Sequence, residues 1–282
     1  MADSIFEAYN KCKKELLEFG IEDCVFEAKQ IIKHITGYNN AQILSHYNDK
    51  LTQFQQNNLI AIMKQRRIRY PLQYIIGSWS FFGREFSVGP GVLIPRADTE
   101  LLVETALGLI KETEKPDIID LCAGTGCIGI SLGLEKTDSS VTLVEKYPEA
   151  ARYSAKNIAD NKAFNVTLLN GDVLSGDGND KSYDLIVSNP PYITNSDMRK
   201  LQPEVEFEPR TALEGGDDGC DFYRAIIKNY LPSLKKGGHI VFEVGIGEAE
   251  TVAELLRSAG LKDVECRRDY GDIDRVVFGT LA

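Results

Sequence analysis

From Asp98 to the C-terminus, short apolar runs alternate with helix-length segments, and this alternation limits the folds open to the chain. The runs are Asp117–Cys122, Val141–Glu145, Val166–Leu169, Tyr183–Ser188 and His239–Val244, with Val264–Arg267 and Asp274–Gly279 near the end. Strands that are apolar throughout are covered on both faces, and parallel neighbours need helical crossovers between them. The pattern therefore predicts an α/β fold with a parallel or mostly parallel sheet. Helices are expected at about residues 98–111, 148–159 and 248–259, with another opening after the glycine loop at 124–129.

The first seventy residues have a different period. Ile5, Ala8, Cys12, Leu16 and Phe19 recur at helical spacing behind a capping box, Ser4-x-x-Glu7, and Gly20 ends the run. A second helix is expected from Asp23 to Thr36, closed by Gly37. A third begins near Thr52-x-x-Gln55 and runs into Lys64-Gln65-Arg66-Arg67-Ile68-Arg69. Such stripes predict a small helical bundle over residues 1–72. A connector follows over 73–92, with a hairpin turn at Gly83-Arg84 among aromatic residues, and the α/β domain occupies 93–282.

Charge narrows the function. The net charge is -10, but residues 1–72 carry ten Lys/Arg against eight Asp/Glu, so the remainder holds -12. A general nucleic-acid binder must neutralise phosphates, so stable nucleic-acid binding is not expected. The basic run at 64–69 reads first as a solvated helix end and second as an RNA contact. Six scattered cysteines with no C-x-x-C pair suit reduced thiols in a cytoplasmic protein, without a metal. The acidic N-terminus does not read as a signal peptide, and no apolar window is long enough to span a membrane.

Two motifs carry the chemistry. Asp120-Leu121-Cys122-Ala123-Gly124-Thr125-Gly126-Cys127-Ile128-Gly129 is a glycine loop after a strand, a pattern also seen in dinucleotide sites. Asp120 at the strand mouth would repel a pyrophosphate but favour the ammonium and sulfonium of S-adenosyl-L-methionine. Cys122, Ala123, Gly124, Thr125 and Gly126 would then lie along the methionyl part. Glu145 would accept both ribose hydroxyls, Asp172 the adenine amino group, and Val173 would pack on the ring. The plainer alternatives are a surface acid for Glu145 and a helix cap for Asp172.

The second motif is Asn189-Pro190-Pro191-Tyr192, closing the strand at Ser188. An amide nitrogen is a poor nucleophile because its lone pair is delocalised. The Asn189 side-chain oxygen, which also adjoins the cofactor site, and the Pro190 carbonyl could accept both of its N–H groups and orient it. The prolines stiffen the turn, and Tyr192 offers a ring face to a flat amide.

With these residues in view, the chain resembles the protein-(glutamine-N5) methyltransferases of peptide chain release factors. The resemblance rests on Pro71-Leu72-Gln73-Tyr74-Ile75, Leu93-Ile94-Pro95-Arg96-Ala97-Asp98-Thr99-Glu100, the glycine loop and the tetrad. It extends to Glu208-Pro209-Arg210-Thr211-Ala212-Leu213 and Asp274-Arg275. It implies a Rossmann-like, seven-stranded methyltransferase sheet, S-adenosyl-L-methionine as donor and S-adenosyl-L-homocysteine as product. It also implies that Asn189 and Tyr192 hold the glutamine of a Gly-Gly-Gln tip, and that the helical bundle docks the release factor. Departures from the family pattern are Arg69-Tyr70, Glu248 and Asp272, none of them in the tetrad. Rival readings are glutamine methylation of a ribosomal protein, adenine N6-methylation of nucleic acid, and a non-catalytic scaffold.

Overall fold

In the computed structural model, which describes residues 2–282, the chain divides into two compact units. One runs to Gly77 and takes in Gln202–Phe207; the other comprises Ser78–Leu201 and Glu208–Ala282.

The helical unit contains α1 (Ile5–Glu18), α2 (Cys24–Thr36), α3 (Asn40–Ser45), α4 (Gln53–Arg67) and α5 (Leu72–Ile76). Full capping boxes open α1 at Ser4/Glu7, α3 at Asn39/Gln42 and α4 at Thr52/Gln55. Each box satisfies two of the amide groups that a helix start leaves unpaired. Gly37 takes the left-handed conformation, φ 71°, that ends α2. Ile5, Ala8, Cys12 and Leu16 of α1 share one core with Ile31 and Ile32 of α2 and Ile62 and Met63 of α4. Each fully buried aliphatic side chain contributes about 1.5–3 kcal/mol. That packing, more than intrinsic propensity, holds helices this short.

The basic run that closes α4 is not a solvated end throughout. Lys64 and Arg67 are exposed, but Arg66 is fully buried. Its guanidinium bonds both oxygens of Glu27 at 2.8 Å, donates to the Tyr70 carbonyl at 2.6 Å and reaches Glu204 at 3.0 Å. Arg69 donates to both oxygens of Glu204 at 2.6 and 2.8 Å. The two arginines are thus internal ties, which removes both the solvated and the RNA-contact readings for them.

The second unit opens on a hairpin, β1 (Ser78–Phe81) and β2 (Arg84–Ser87). Its turn is Phe82-Gly83, both at positive φ, so it lies one residue earlier than expected and Arg84 already belongs to the strand. Two positive φ angles are what a two-residue hairpin needs to match strand twist. The remaining elements are α6 (Glu100–Leu109), β3 (Asp117–Leu121), α7 (Cys127–Glu135), β4 (Ser140–Glu145) and α8 (Pro148–Asp160). Then come β5 (Val166–Asn170), β6 (Tyr183–Ser188), α9 (Asp221–Tyr230), β7 (Leu234–Glu243), α10 (Ala249–Ser258), β8 (Leu261–Arg268) and β9 (Asp274–Leu281). Helix α9 was absent from the sequence expectations, although Tyr223, Ile226 and Tyr230 line its buried face.

The seven strands are ordered β5-β4-β3-β6-β7-β9-β8. The first five are parallel, and β9 runs antiparallel to both β7 and β8. Separate apolar clusters form in this unit, one holding Ile118, Ile130, Leu143 and Leu185, the other Ile119, Ile186, Tyr223 and Phe242. Chain progression reverses between β3 and β6, where Leu121 pairs with Ser188. Open α/β sheets bind ligands at such a switch point, and both motifs start there.

Candidate active site

Beyond Leu121 the backbone turns sharply. Cys122 adopts φ 61°, a left-handed conformation that costs a non-glycine residue about 1–3 kcal/mol. The turn lets the Ala123 N–H donate to the Val144 carbonyl at 3.0 Å. A Cβ on Gly124 would meet only Val92, at 3.9 Å, so this stretch of backbone leaves room for a ligand. Gly126 and Gly129 serve packing instead: their Cβ atoms would stand 2.9 and 2.2 Å from the Leu143 side chain.

The loop is held from α8. The Ser154 hydroxyl donates to the Gly124 carbonyl at 2.6 Å, and Asn157 Nδ2 donates to the Thr125 carbonyl at 2.9 Å. Both residues are fully buried. Sequence reading passed over them; the available signal was two polar residues three apart on an otherwise small-residue helix face.

One cavity gathers Cys122, Ala123, Gly124, Thr125, Glu145, Asp172, Val173, Asn189 and Pro191 from the expected site. Val92, Arg96, Thr99 and Phe222 complete part of its wall. Glu145 is no surface acid: it is 6% exposed, and its oxygens accept from Gly124 N and Tyr147 N, each at 2.8 Å. Burial pushes its pKa up, while the Tyr147 and Gly124 amides oppose the rise. Each oxygen keeps a lone pair for a ligand hydroxyl.

Asp172 does cap a short helical turn, accepting from Leu174 N at 2.9 Å, and pairs with Lys146 at 2.8 Å. Burial works to raise its pKa, yet the Lys146 and Leu174 hydrogen bonds outweigh it and hold the carboxyl below the usual range. It also lines the cavity, so the cap and the binding role are compatible.

Four expected residues do not reach that wall: Asp120, Gly126, Pro190 and Tyr192 are absent from the cavity lining. Asp120 is fully buried behind the loop, where Oδ2 accepts from Gly129 N at 2.8 Å and Oδ1 finds no partner among the described residues. Tyr192 packs against the core, its ring beside Gly245 and its backbone beside Gly215. Burial raises its hydroxyl pKa. The tetrad is pinned behind by Ile193, whose N–H donates to the Leu213 carbonyl at 2.8 Å while its carbonyl accepts from Gly215 N at 2.9 Å.

Asp120 makes a pH prediction. Burial raises its pKa from 3.8 to about 7, against the Gly129 hydrogen bond. The folded protein then keeps a proton that the unfolded chain releases, so stability falls as pH rises from about 4 to about 7. Asp120→Asn should flatten part of that slope, as measured by urea unfolding at several pH values. An unchanged slope would remove Asp120 as a source.

Asn189 Nδ2 donates to the Thr99 hydroxyl at 3.3 Å, and its Oδ1 has no donor among the described residues. Thr99 is buried, as is Glu243, whose pKa desolvation pushes up to about 7. Nearby, buried Glu208 accepts from Ile94 N at 2.9 Å and pairs with Arg96. It thereby joins the Ile-Pro-Arg segment to the Glu-Pro-Arg segment, the two stretches that carried the resemblance outside the main motifs.

The seven-stranded sheet, the loop at its switch point and the cavity define a Rossmann-like methyltransferase. A family model for the methyltransferase small domain matches residues 97–205, and one for the PrmC N-terminal domain matches residues 7–77. Solved neighbours include the hMettl16 catalytic domain in complex with MAT2A 3'UTR hairpin 6, with a TM-score of 0.59 at 16% identity, covering 87% of this chain and 93% of that one. A methyltransferase from Pyrococcus furiosus gives a TM-score of 0.52 at 16% identity, over 81% of this chain and 98% of that one. These likenesses speak for the fold alone.

Curated relatives are nearer. The release factor glutamine methyltransferase of Geobacter sulfurreducens is 38% identical, covering 94% of this chain and 93% of the relative. Those of Thermodesulfovibrio yellowstonii and Escherichia coli are each 36% identical, covering 96% and 90% of this chain and 97% and 91% of the relatives. The chain belongs to the release factor glutamine methyltransferase family.

Proposed function

We propose that the protein transfers a methyl group from S-adenosyl-L-methionine to the side-chain nitrogen, N5, of the glutamine in the Gly-Gly-Gln motif of peptide chain release factors. S-adenosyl-L-homocysteine is the product. The observation that carries this reading is identity above one third, over nine-tenths or more of the chain, to relatives bearing that name.

The donor set suits the cofactor: a buried carboxylate with free lone pairs at Glu145, open backbone at Gly124 and an apolar side chain at Val173. In the proposed arrangement Glu145 holds the ribose hydroxyls, Val173 packs on the adenine and Asp172 accepts from its amino group. Cys122, Ala123 and Thr125 follow the methionyl part. Asp120 and Gly126 act through the shape of the loop, Asp120 by tethering Gly129. The bound cofactor supplies an electrophilic methyl on a sulfonium.

The chain's own part is orientation. Asn189 Oδ1, on the cavity wall, accepts one N–H group of the glutamine, and the Pro190 carbonyl, outside the cavity lining, is assigned the other; Pro191 stiffens the turn, and Tyr192 sets its pose from the core. That aims the nitrogen and stabilises the positive charge growing on it. No general base is assigned; the proton leaves late, to water.

The helical unit is assigned the task of docking the release factor, and the cytoplasm is the compartment where the two meet. No helix among the described residues is long and apolar enough to cross a membrane. The -12 charge of the catalytic part speaks against nucleic acid as substrate.

The test is a methyl-transfer assay with purified release factor, ribosomal protein and DNA side by side, followed by fragment mass spectrometry. Label on the release factor's glutamine is expected. Label only on ribosomal protein or DNA would overturn the reading. A separate expectation concerns the cofactor: Glu145→Ala should weaken donor binding by about 1–3 kcal/mol, the usual cost of losing a charged hydrogen bond. Equal affinity by calorimetry would take Glu145 out of the site.

A further inference from the structure

We infer that Arg96 holds the carboxylate of the donor's methionyl part, a role that rests on the proposed S-adenosyl-L-methionine site. That carboxylate is the donor's one negative group. Leaving water for the cavity is costly unless a cation or several hydrogen-bond donors receive it there.

Among the described residues, four charged side chains line the cavity: Arg96, Glu145, Lys146 and Asp172. Three of them gather at one end. Glu145 closes β4, Lys146 follows it, and Asp172 lies just past β5. Lys146 is already paired with Asp172 at 2.8 Å, and this end is the one assigned to the nucleoside. Arg96 stands apart. It lies three residues before Thr99, whose hydroxyl meets Asn189 just past β6, and β6 flanks β3 on the side opposite β4. A donor lying along the loop after β3, with its nucleoside over β4 and β5, thus turns its amino-acid end toward Arg96.

The guanidinium is also free to receive a second anion. Its Nη2 donates to Glu208 Oε1, while Nε and Nη1 have no hydrogen-bond partner among the described residues. Glu208 is 4% exposed and saturated, since Oε2 accepts from Ile94 N at 2.9 Å. The tie to Glu208 fixes the guanidinium at one corner and leaves most of its five donors for a ligand. A planar fork restrained in this way loses little freedom when a carboxylate docks on it. Charge-assisted bonds of that kind are the strong ones. The Arg96 side chain is 38% exposed, so a ligand reaches it without the core unpacking.

The test measures binding rather than turnover. Wild type and Arg96→Met are titrated by calorimetry with S-adenosyl-L-homocysteine and with its decarboxylated analogue, adenosyl-3-thiopropylamine. The analogue keeps the nucleoside, the sulfur and the ammonium. Wild type should bind S-adenosyl-L-homocysteine about tenfold or more tighter than the analogue, the effect of one charged hydrogen-bonded contact. Arg96→Met should lose about that factor for S-adenosyl-L-homocysteine and stay within about threefold for the analogue, so that the preference disappears. A wild type without the preference, or an unchanged S-adenosyl-L-homocysteine affinity in Arg96→Met, would overturn the inference. So would an equal loss for both ligands, which would make Arg96 a support for Glu208 alone. Should Arg96→Met fail to fold, Arg96→Gln, whose amide still donates to Glu208, carries the same expectation and the same refutation. A folded wild type that binds neither compound would instead defeat the proposed donor site.

Discussion

Replacing Asn189 by alanine is expected to lower kcat by roughly two to three orders of magnitude, the range seen when one oriented polar group is removed from a reacting centre. Donor affinity should be nearly unchanged, because Glu145 and the loop residues that surround the proposed nucleoside site are untouched. The two measurements together separate this account from a merely structural role for the tetrad. Asn189 is only half-buried, and its side chain's one hydrogen bond among the described residues is to Thr99, so the truncation leaves no core cavity. A variant that keeps wild-type kcat, or that loses donor binding in parallel with rate, contradicts the clamp.

The second large effect concerns stability. Arg66 is fully buried and is the shared partner of Glu27 and Glu204. Arg66→Met keeps most of the stem but leaves Glu27 without its cation. Breaking a buried pair on one side typically costs about 3–5 kcal/mol, because the remaining charge is desolvated and unpaired. Glu204 is expected to suffer less, since Arg69 still holds it.

The loss should depend on pH, with a definite sign. Burial already raises the Glu27 pKa against the pull of Arg66, and removing Arg66 raises it further. A carboxyl with a raised folded pKa favours the fold while protonated and loses that contribution as pH rises. The deficit of Arg66→Met should therefore be smallest in mildly acidic buffer and largest at neutral pH. Urea unfolding at the two conditions decides it: a deficit that is small, or flat with pH, would contradict the buried-tie description.

Much of the fold was legible because it is encoded locally. Ser4/Glu7 and Thr52/Gln55 sit within one helical turn of the ends they cap, and Gly37 stops α2 by its own backbone freedom. Tyr183–Ser188 is a strand in sequence and structure alike, since six residues covered on both faces leave little other choice. What escaped depends on distant partners or weak local signals. Arg66 in a basic run looks solvated until Glu204, 138 residues away, is folded against it. Helix α5 has only five residues, too few for propensity to announce it, and α9 follows the glycine-rich stretch Gly215–Gly219, which masks its start.

The site was legible in the same partial way. Glu145, Asp172 and Asn189 lie at strand ends, where the α/β pattern itself points, and all three reach one cavity. Asp120 has the same kind of address, but its side chain turns inward beneath α7 to meet Gly129, and strand position alone does not reveal that direction. Ser154, Asn157, Thr99 and Glu208 support the site through hydrogen bonds that no spacing rule foretells.

The most direct test is a crystal structure of the protein grown with S-adenosyl-L-homocysteine and a glutamine-bearing release factor peptide. The account predicts ribose hydroxyls on Glu145 and the carboxamide nitrogen between Asn189 Oδ1 and the Pro190 carbonyl, facing the sulfur. A nucleoside lodged away from Glu145, or a glutamine bound anywhere but at those two oxygens, would contradict it.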